Sequence, residues 1–123
     1  MRITVFTPAY NRGYIIEKLY RSLQNQTFRN FEWLIIDDGS SDNTSEKIQS
    51  FIQDNNDFPI IFEKVENGGK HRAINLGVQK ARGELFFIVD SDDYLTNTSL
   101  ENVDHVETSI PKKKKKNFAG ICG

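Results

Sequence analysis

Leu85-Phe86-Phe87-Ile88-Val89-Asp90-Ser91-Asp92-Asp93 joins five consecutive apolar residues to three carboxylates within four positions. A short, wholly apolar run ending in polar residues reads as a strand buried on both faces. The acidic cluster cannot share that burial, so the strand must surface there. Upstream, Ala73, Ile74, Val78 and Ala81 give Lys70–Arg82 a helical apolar face, and Gly83 reads as its C-terminal stop. Before that helix lies a strand over Ile60–Val65. It is preceded by a helix capped by Asn43, with Glu46 as its third residue and Ile48, Phe51 and Ile52 facing inward. Phe31–Asp37 is a further apolar strand. Ile15, Leu19 and Leu23, with Ile16 and Tyr20, mark the first helix. Arg2–Thr7 is the first strand, expected to close at Pro8, which has no N–H for a ladder. Downstream, Thr98 and Glu101 suggest a capping box, followed by a face of Leu100, Val103, Val106 and Ile110. Asn117–Cys122 would begin a fifth strand.

Strand and helix alternate throughout, which implies an α/β fold: a mostly parallel sheet with helices on both faces. The 123 residues suit one domain, spanning 1–123. Folding at that length buries roughly two-thirds of the unfolded surface. A composition of 37% hydrophobic and 27% charged residues is that of a soluble globular chain. The net charge of −1 gives no pull toward nucleic acid, so no nucleic-acid partner is expected. Leu85–Val89 is the longest apolar run, far short of the roughly 20 residues of a membrane span. The N-terminus lacks the long apolar core of a secretory signal. Cys122 stands alone, with no internal disulfide or cysteine zinc cluster open to it, and a cytoplasmic location is the expectation. Lys112–Lys116 reads as a surface loop, with contact to anionic lipid at the cytoplasmic face as the minority reading.

Ligands of parallel sheets bind beyond the carboxyl ends of the strands. The sequence places its conspicuous polar residues there: Thr7-Pro8-Ala9-Tyr10-Asn11-Arg12, Asp37-Asp38-Gly39-Ser40 and Asp90-Ser91-Asp92-Asp93. Three crowded carboxylates repel one another unless a cation sits among them, and hard divalent cations such as Mg²⁺ or Mn²⁺ take oxygen ligands together with substrate phosphates. A solvated acidic turn is the bland alternative, disfavoured because the cluster follows a buried strand. Asp37 and Asp38 do not fit a calcium loop, since Asn43 stands where that loop needs Gly. Ser41, Asp42 and Asn43 are read as helix-capping residues, which leaves Asp38 to accept a hydrogen bond from a nucleobase. Tyr10 either stacks on a base or packs beside the first helix. Lys70 and Arg72 either face diphosphate charge or are solvated helix residues; Gly68-Gly69, where the backbone can approach a ligand closely, favours the functional reading for Lys70. His71 and His105 are read as ordinary polar residues.

Taken together, these motifs resemble family 2 glycosyltransferases of the GT-A type, from Ile3 to about Ile121. The resemblance rests on the Thr7–Arg12 stretch, Asp37 to Thr44, Asn67-Gly68-Gly69-Lys70 through Gly77, and Val89 to Asp93. It implies a Rossmann-like fold, truncated after the donor half, and a fragment of a longer glycosyltransferase. It further implies that Thr7, Pro8, Ala9, Tyr10, Asn11 and Arg12 line a nucleotide pocket. Asp38 would read the base, most often uracil. Asp90, Ser91 and Asp92 would meet ribose or metal, and Asp92 and Asp93 would hold metal and diphosphate. Many relatives carry Ala-Arg-Asn where this chain has Arg72-Ala73-Ile74-Asn75, so Lys70 rather than Arg72 is the expected diphosphate contact.

The implied reaction is inverting transfer from a nucleotide-diphosphate sugar to a saccharide or lipid-linked saccharide acceptor. A carboxylate base must take the acceptor proton, and no residue after Asp93 matches it; Glu101, Asp104 and Glu107 read as polar helix residues. Binding is therefore the firmer expectation. The alternative is a non-catalytic nucleotide-binding or assembly module, because an open sheet edge invites pairing with a second copy into a homo-oligomer. A nucleotidyltransferase is ranked lower, because Pro8-Ala9-Tyr10-Asn11 replaces the glycine-rich phosphate loop such enzymes carry after the first strand.

Overall fold

The computed structural model describes residues 2–54, 57–108 and 117–118, with side chains up to residue 104. The strands are β1 (Ile3–Ala9), β2 (Phe31–Asp37), β3 (Ile60–Lys64), β4 (Leu85–Ile88) and β5 (Asn117–Phe118). The helices are α1 (Ile16–Gln24), α2 (Thr44–Gln53), α3 (Lys70–Lys80) and α4 (Ser99–Thr108). The sheet order is β3-β2-β1-β4-β5, and every pairing is parallel. Among the described residues, no helix is long and apolar enough to cross a membrane. Lys112–Lys116, Cys122, Ile110 and the side chains of His105, Val106 and Glu107 lie outside what the structure describes.

β2 is buried at all seven positions, as a central strand covered on both faces must be. One face packs Ile3, Val5, Trp33, Ile35 and Phe87 against Leu19, Leu23, Ile48, Phe51 and Leu100, from α1, α2 and α4. The other packs Phe6, Leu34, Ile36 and Phe86 against Ala73 and Ala81, in and just after α3. For α1, α2 and α3 this division follows from handedness. Steps from β1 to β2 and from β2 to β3 run one way along the sheet, with α1 and α2 on one face. The step from β3 to β4 runs back past two strands. A right-handed crossover in the reverse direction must carry its helix over the opposite face, and α3 is found there.

Several expected details are corrected. β1 does not close at Pro8 but runs through it, with Pro8 opposite Ile36 and Ala9 opposite Asp37. Phe6 accepts from the Val89 N–H on the β4 side, and Ala9 accepts from the Asp38 N–H on the β2 side. Alternation turns Pro8 toward β4, whose pairing has already ended at Ile88, so its missing N–H costs no ladder bond. Ile15 precedes α1 as its cap position rather than joining its apolar face. Ile52 is exposed, leaving Ile48 and Phe51 to anchor α2. Gly83 does not terminate α3, which ends at Lys80 with Ala81 turning extended. Its service is close approach: a Cβ there would meet the Thr4 nitrogen at 2.4 Å and the Ile3 carbonyl carbon at 2.6 Å.

Candidate functional site

The carboxyl ends of β1, β2 and β4 lie side by side, and the loop entering α3 closes over them. Between them opens a cavity of about 440 Å³, lined by Pro8, Ala9, Tyr10, Arg12, Asp38, Asn67, Gly69, Lys70, Ala73, Asp90, Ser91 and Asp92. That volume suits a ligand the size of a nucleotide.

Asp38 is nearly buried, and its two carboxylate oxygens accept the N–H groups of Gly68 (2.8 Å) and Gly69 (3.1 Å). The carboxylate thus holds the α3 entry loop against β2 while facing the cavity. Gly69 adopts φ +93°, a conformation that favours glycine. Lys70 opens α3, and its ammonium reaches Asp90 Oδ1 at 2.9 Å.

Carboxylate oxygens of Asp90, Asp92 and Asp93 all lie within 4.8 Å of one another. Burial raises the Asp93 pKa, the Asp92 and Asp90 charges push it the same way, and the Lys70 ammonium offsets part of this. The donor set is all oxygen, short of positive charge and partly open to the cavity, which fits a hard divalent cation.

Two expected nucleotide contacts are placed elsewhere. Thr7 is fully buried, and its hydroxyl accepts the Trp33 indole N–H at 2.9 Å inside the core. Asn11 does not line the cavity either. Its Oδ1 accepts the N–H groups of Ser41 (2.8 Å) and Asp42 (3.3 Å) across the β2–α2 loop. Tyr10 is half-exposed at the cavity wall, and Arg12 stands beside it with its guanidinium donating to the Tyr10 carbonyl. Arg72 folds over Gly68, outside the lining residues.

Of the residues expected to cap α2, Asp42 makes the bonds. Asn43 occupies the cap position but makes no capping bond with its side chain. Asp42 Oδ1 instead accepts from the Thr44 N–H at 3.0 Å and from the Thr44 hydroxyl, and its Oδ2 accepts from Gly13. Burial tends to raise the Asp42 pKa, but the bonds from Thr44 and Gly13 outweigh it, and the net shift is downward. A depressed carboxylate adds stability above its unfolded value of 3.8 and loses it as pH falls through the lower folded value. The urea-midpoint gap between the wild type and Asp42→Asn should therefore narrow as pH drops below about 4. A gap that stays constant down to full protonation would remove Asp42 as the source. On α4, Glu101 accepts from the Thr27 hydroxyl at 3.0 Å and Asp104 accepts from Arg2 Nε at 2.6 Å.

The fold is of the GT-A type, a Rossmann-like, mostly parallel sheet with helices on both faces. The sequence profile of glycosyl transferase family 2 matches residues 4–103, and the chain belongs to that family. Among relatives, it is 34% identical over 101 residues to the glycosyltransferase GlyG of Streptococcus pneumoniae, covering 82% of this chain and 33% of that protein. It is 28% identical over 122 residues to a GalNAc(5)-diNAcBac-PP-undecaprenol beta-1,3-glucosyltransferase of Campylobacter jejuni, covering 99% of this chain and 37% of that one. Among solved structures, TarS of Staphylococcus aureus in complex with UDP superposes with a TM-score of 0.80 at 27% identity, covering 89% of this chain and 32% of that one. A mannosyltransferase of Pyrobaculum calidifontis in complex with GDP-Man and Mn²⁺ superposes with a TM-score of 0.78 at 27% identity, covering 83% and 31%. The chain thus spans about a third of the length of these proteins.

Proposed function

We propose that this chain is the donor-binding portion of an inverting glycosyltransferase, holding a uridine diphosphate sugar with a divalent cation. The observation that carries this reading is the shared cavity, which Asp38, Tyr10, Lys70, Asp90 and Asp92 all line. A base seated against Tyr10 would find in Asp38 an acceptor for its N–H. Two of that carboxylate's lone pairs are spent on Gly68 and Gly69, and others remain free. Lys70 would leave Asp90 for the diphosphate. Asp92 and Asp93 would hold Mg²⁺ or Mn²⁺, with Asp90 beside them. The bound cation would supply charge neutralisation for the departing diphosphate.

In the reaction, the acceptor hydroxyl attacks the anomeric carbon as its bond to the diphosphate oxygen breaks. Configuration inverts, and the hydroxyl proton passes to a carboxylate. Among the described residues after Asp93, Glu101 and Asp104 are bound to Thr27 and Arg2, away from the cavity. That base is therefore sought outside the described residues, as is the acceptor site. A saccharide or lipid-linked saccharide is the proposed acceptor class, supported by the names of the relatives, and the cytoplasm is the proposed compartment.

Calorimetric titration of the chain with UDP, with and without Mn²⁺, tests the reading. Saturable binding strengthened by Mn²⁺ is expected. No heat under any condition would sink it.

A further inference from the structure

Asn11 carries a set of contacts that the donor-binding reading does not use. It is the only non-glycine among the described residues with positive φ, at +53°. That value lies in the left-handed region, which Asn and Asp tolerate better than other side chains. Its backbone N–H donates to Ser40 Oγ at 2.8 Å. Ser40 passes the connection on, its hydroxyl and N–H both donating to the fully buried Asp37 carboxylate. Asp37 also accepts from the Ser45 hydroxyl at 2.9 Å. From the other end, Asn11 Oδ1 takes the Ser41 and Asp42 N–H groups. The next two residues continue the seam: the Arg12 N–H reaches Thr44 Oγ1 at 3.0 Å, and the Gly13 N–H reaches Asp42 Oδ2 at 3.3 Å.

The loop after β1 and the loop after β2 are therefore zipped together by side-chain acceptors, with Asn11 Oδ1 near the middle. These loops carry Tyr10 and Arg12 on one hand and Asp38 on the other, all lining the cavity. Asn11 itself does not. We infer that Asn11 is a positioning residue, fixing Tyr10 and Arg12 relative to Asp38 through its Oδ1, and makes no contact with nucleotide. This rests on the donor-binding reading above.

Two substitutions separate positioning from contact. Asn11→Gly keeps access to positive φ and removes the acceptor. Asn11→Asp keeps both the acceptor and the tolerance of positive φ, but loses the amide donor and gains a negative charge that a diphosphate would reject. Titration of the full chain with UDP and Mn²⁺ should show affinity falling about tenfold in Asn11→Gly, the scale of one or two lost net hydrogen bonds. In Asn11→Asp it should return to within about threefold of wild type, since a carboxylate can accept the same N–H groups.

Loss in Asn11→Asp equal to or beyond that in Asn11→Gly would overturn the inference, because it marks the amide as a ligand contact. Wild-type affinity in Asn11→Gly would overturn it as well, by removing any role. Should Asn11→Gly fail to fold, Asn11→Asp still decides: near wild-type affinity supports positioning, and marked loss overturns it. Absence of UDP binding in the wild type would instead remove the donor-binding reading, and the inference with it.

Discussion

Asp93→Asn should weaken UDP binding in the presence of Mn²⁺ by about a hundredfold, the range seen when one partner of a close charge pair is removed. Without Mn²⁺ the same substitution should leave UDP affinity unchanged or slightly improved. The sign difference follows from the crowding of Asp90, Asp92 and Asp93, whose carboxylate oxygens lie within 4.8 Å of one another against a single ammonium, Lys70. With a cation present, each carboxylate contributes attraction. With none, each adds repulsion toward a diphosphate. Burial, and after it the Asp92 and Asp90 charges, penalise the Asp93 carboxylate and raise its pKa; Asn relieves both, so the variant should be no less stable than wild type. Calorimetry with and without Mn²⁺, alongside thermal melting, reads all three expectations. Equal loss in both conditions would assign Asp93 to loop structure rather than to the cation.

Glu32→Leu should destabilise the fold by about 3 kcal/mol. Glu32 is the second residue of β2, opposite Thr4 of β1, and is fully buried. It accepts the Thr4 hydroxyl at 2.7 Å, the Arg82 N–H at 2.9 Å and Arg82 Nε at 2.9 Å. The Arg82 side chain is 60% exposed, so its ion pair contributes little by itself, and the freed guanidinium returns to water. What remains is a buried hydroxyl and a partly buried backbone N–H, each left without its acceptor at a cost of about 1–3 kcal/mol. Urea unfolding should show the midpoint falling with the slope unchanged, and Glu32→Gln should fall in between. A loss below about 0.5 kcal/mol would mean that water replaces the carboxylate.

Much of this was legible because burial writes itself into the sequence. Phe31–Asp37 has no polar alternation to obscure it, and its boundaries are those found in the structure. The three strand tips converge as the alternation of elements requires, and Asp38, Lys70 and the acidic cluster meet there. What escaped the sequence depends on which of two neighbours a polar group faces. Pro8 stays in the strand because of where β4 stops. Among Ser41, Asp42 and Asn43, all open as caps for α2, the bonds fall to Asp42 because Gly13 and Thr44 both offer it donors. Thr7 and Asn11 sit in the right motif, but their side chains are committed to Trp33 and to the β2–α2 loop. Glu32 gave no signal, since a lone acid in an apolar strand does not reveal a partner fifty residues away.

The backward step from β3 to β4 also dictates when the site comes into being as the chain folds. β1, β2 and β3 can assemble in sequence from neighbours. β4 reaches β1 only by closing a loop over most of the chain, with Ile3 opposite Leu85. Such distant pairings carry the largest closure entropy and form late. A partly folded chain would thus present Tyr10 and Asp38 but not the Asp90–Asp93 cluster. Cation-dependent binding of UDP would then report the pairing of β1 with β4, and its onset during refolding would lag behind the appearance of helix.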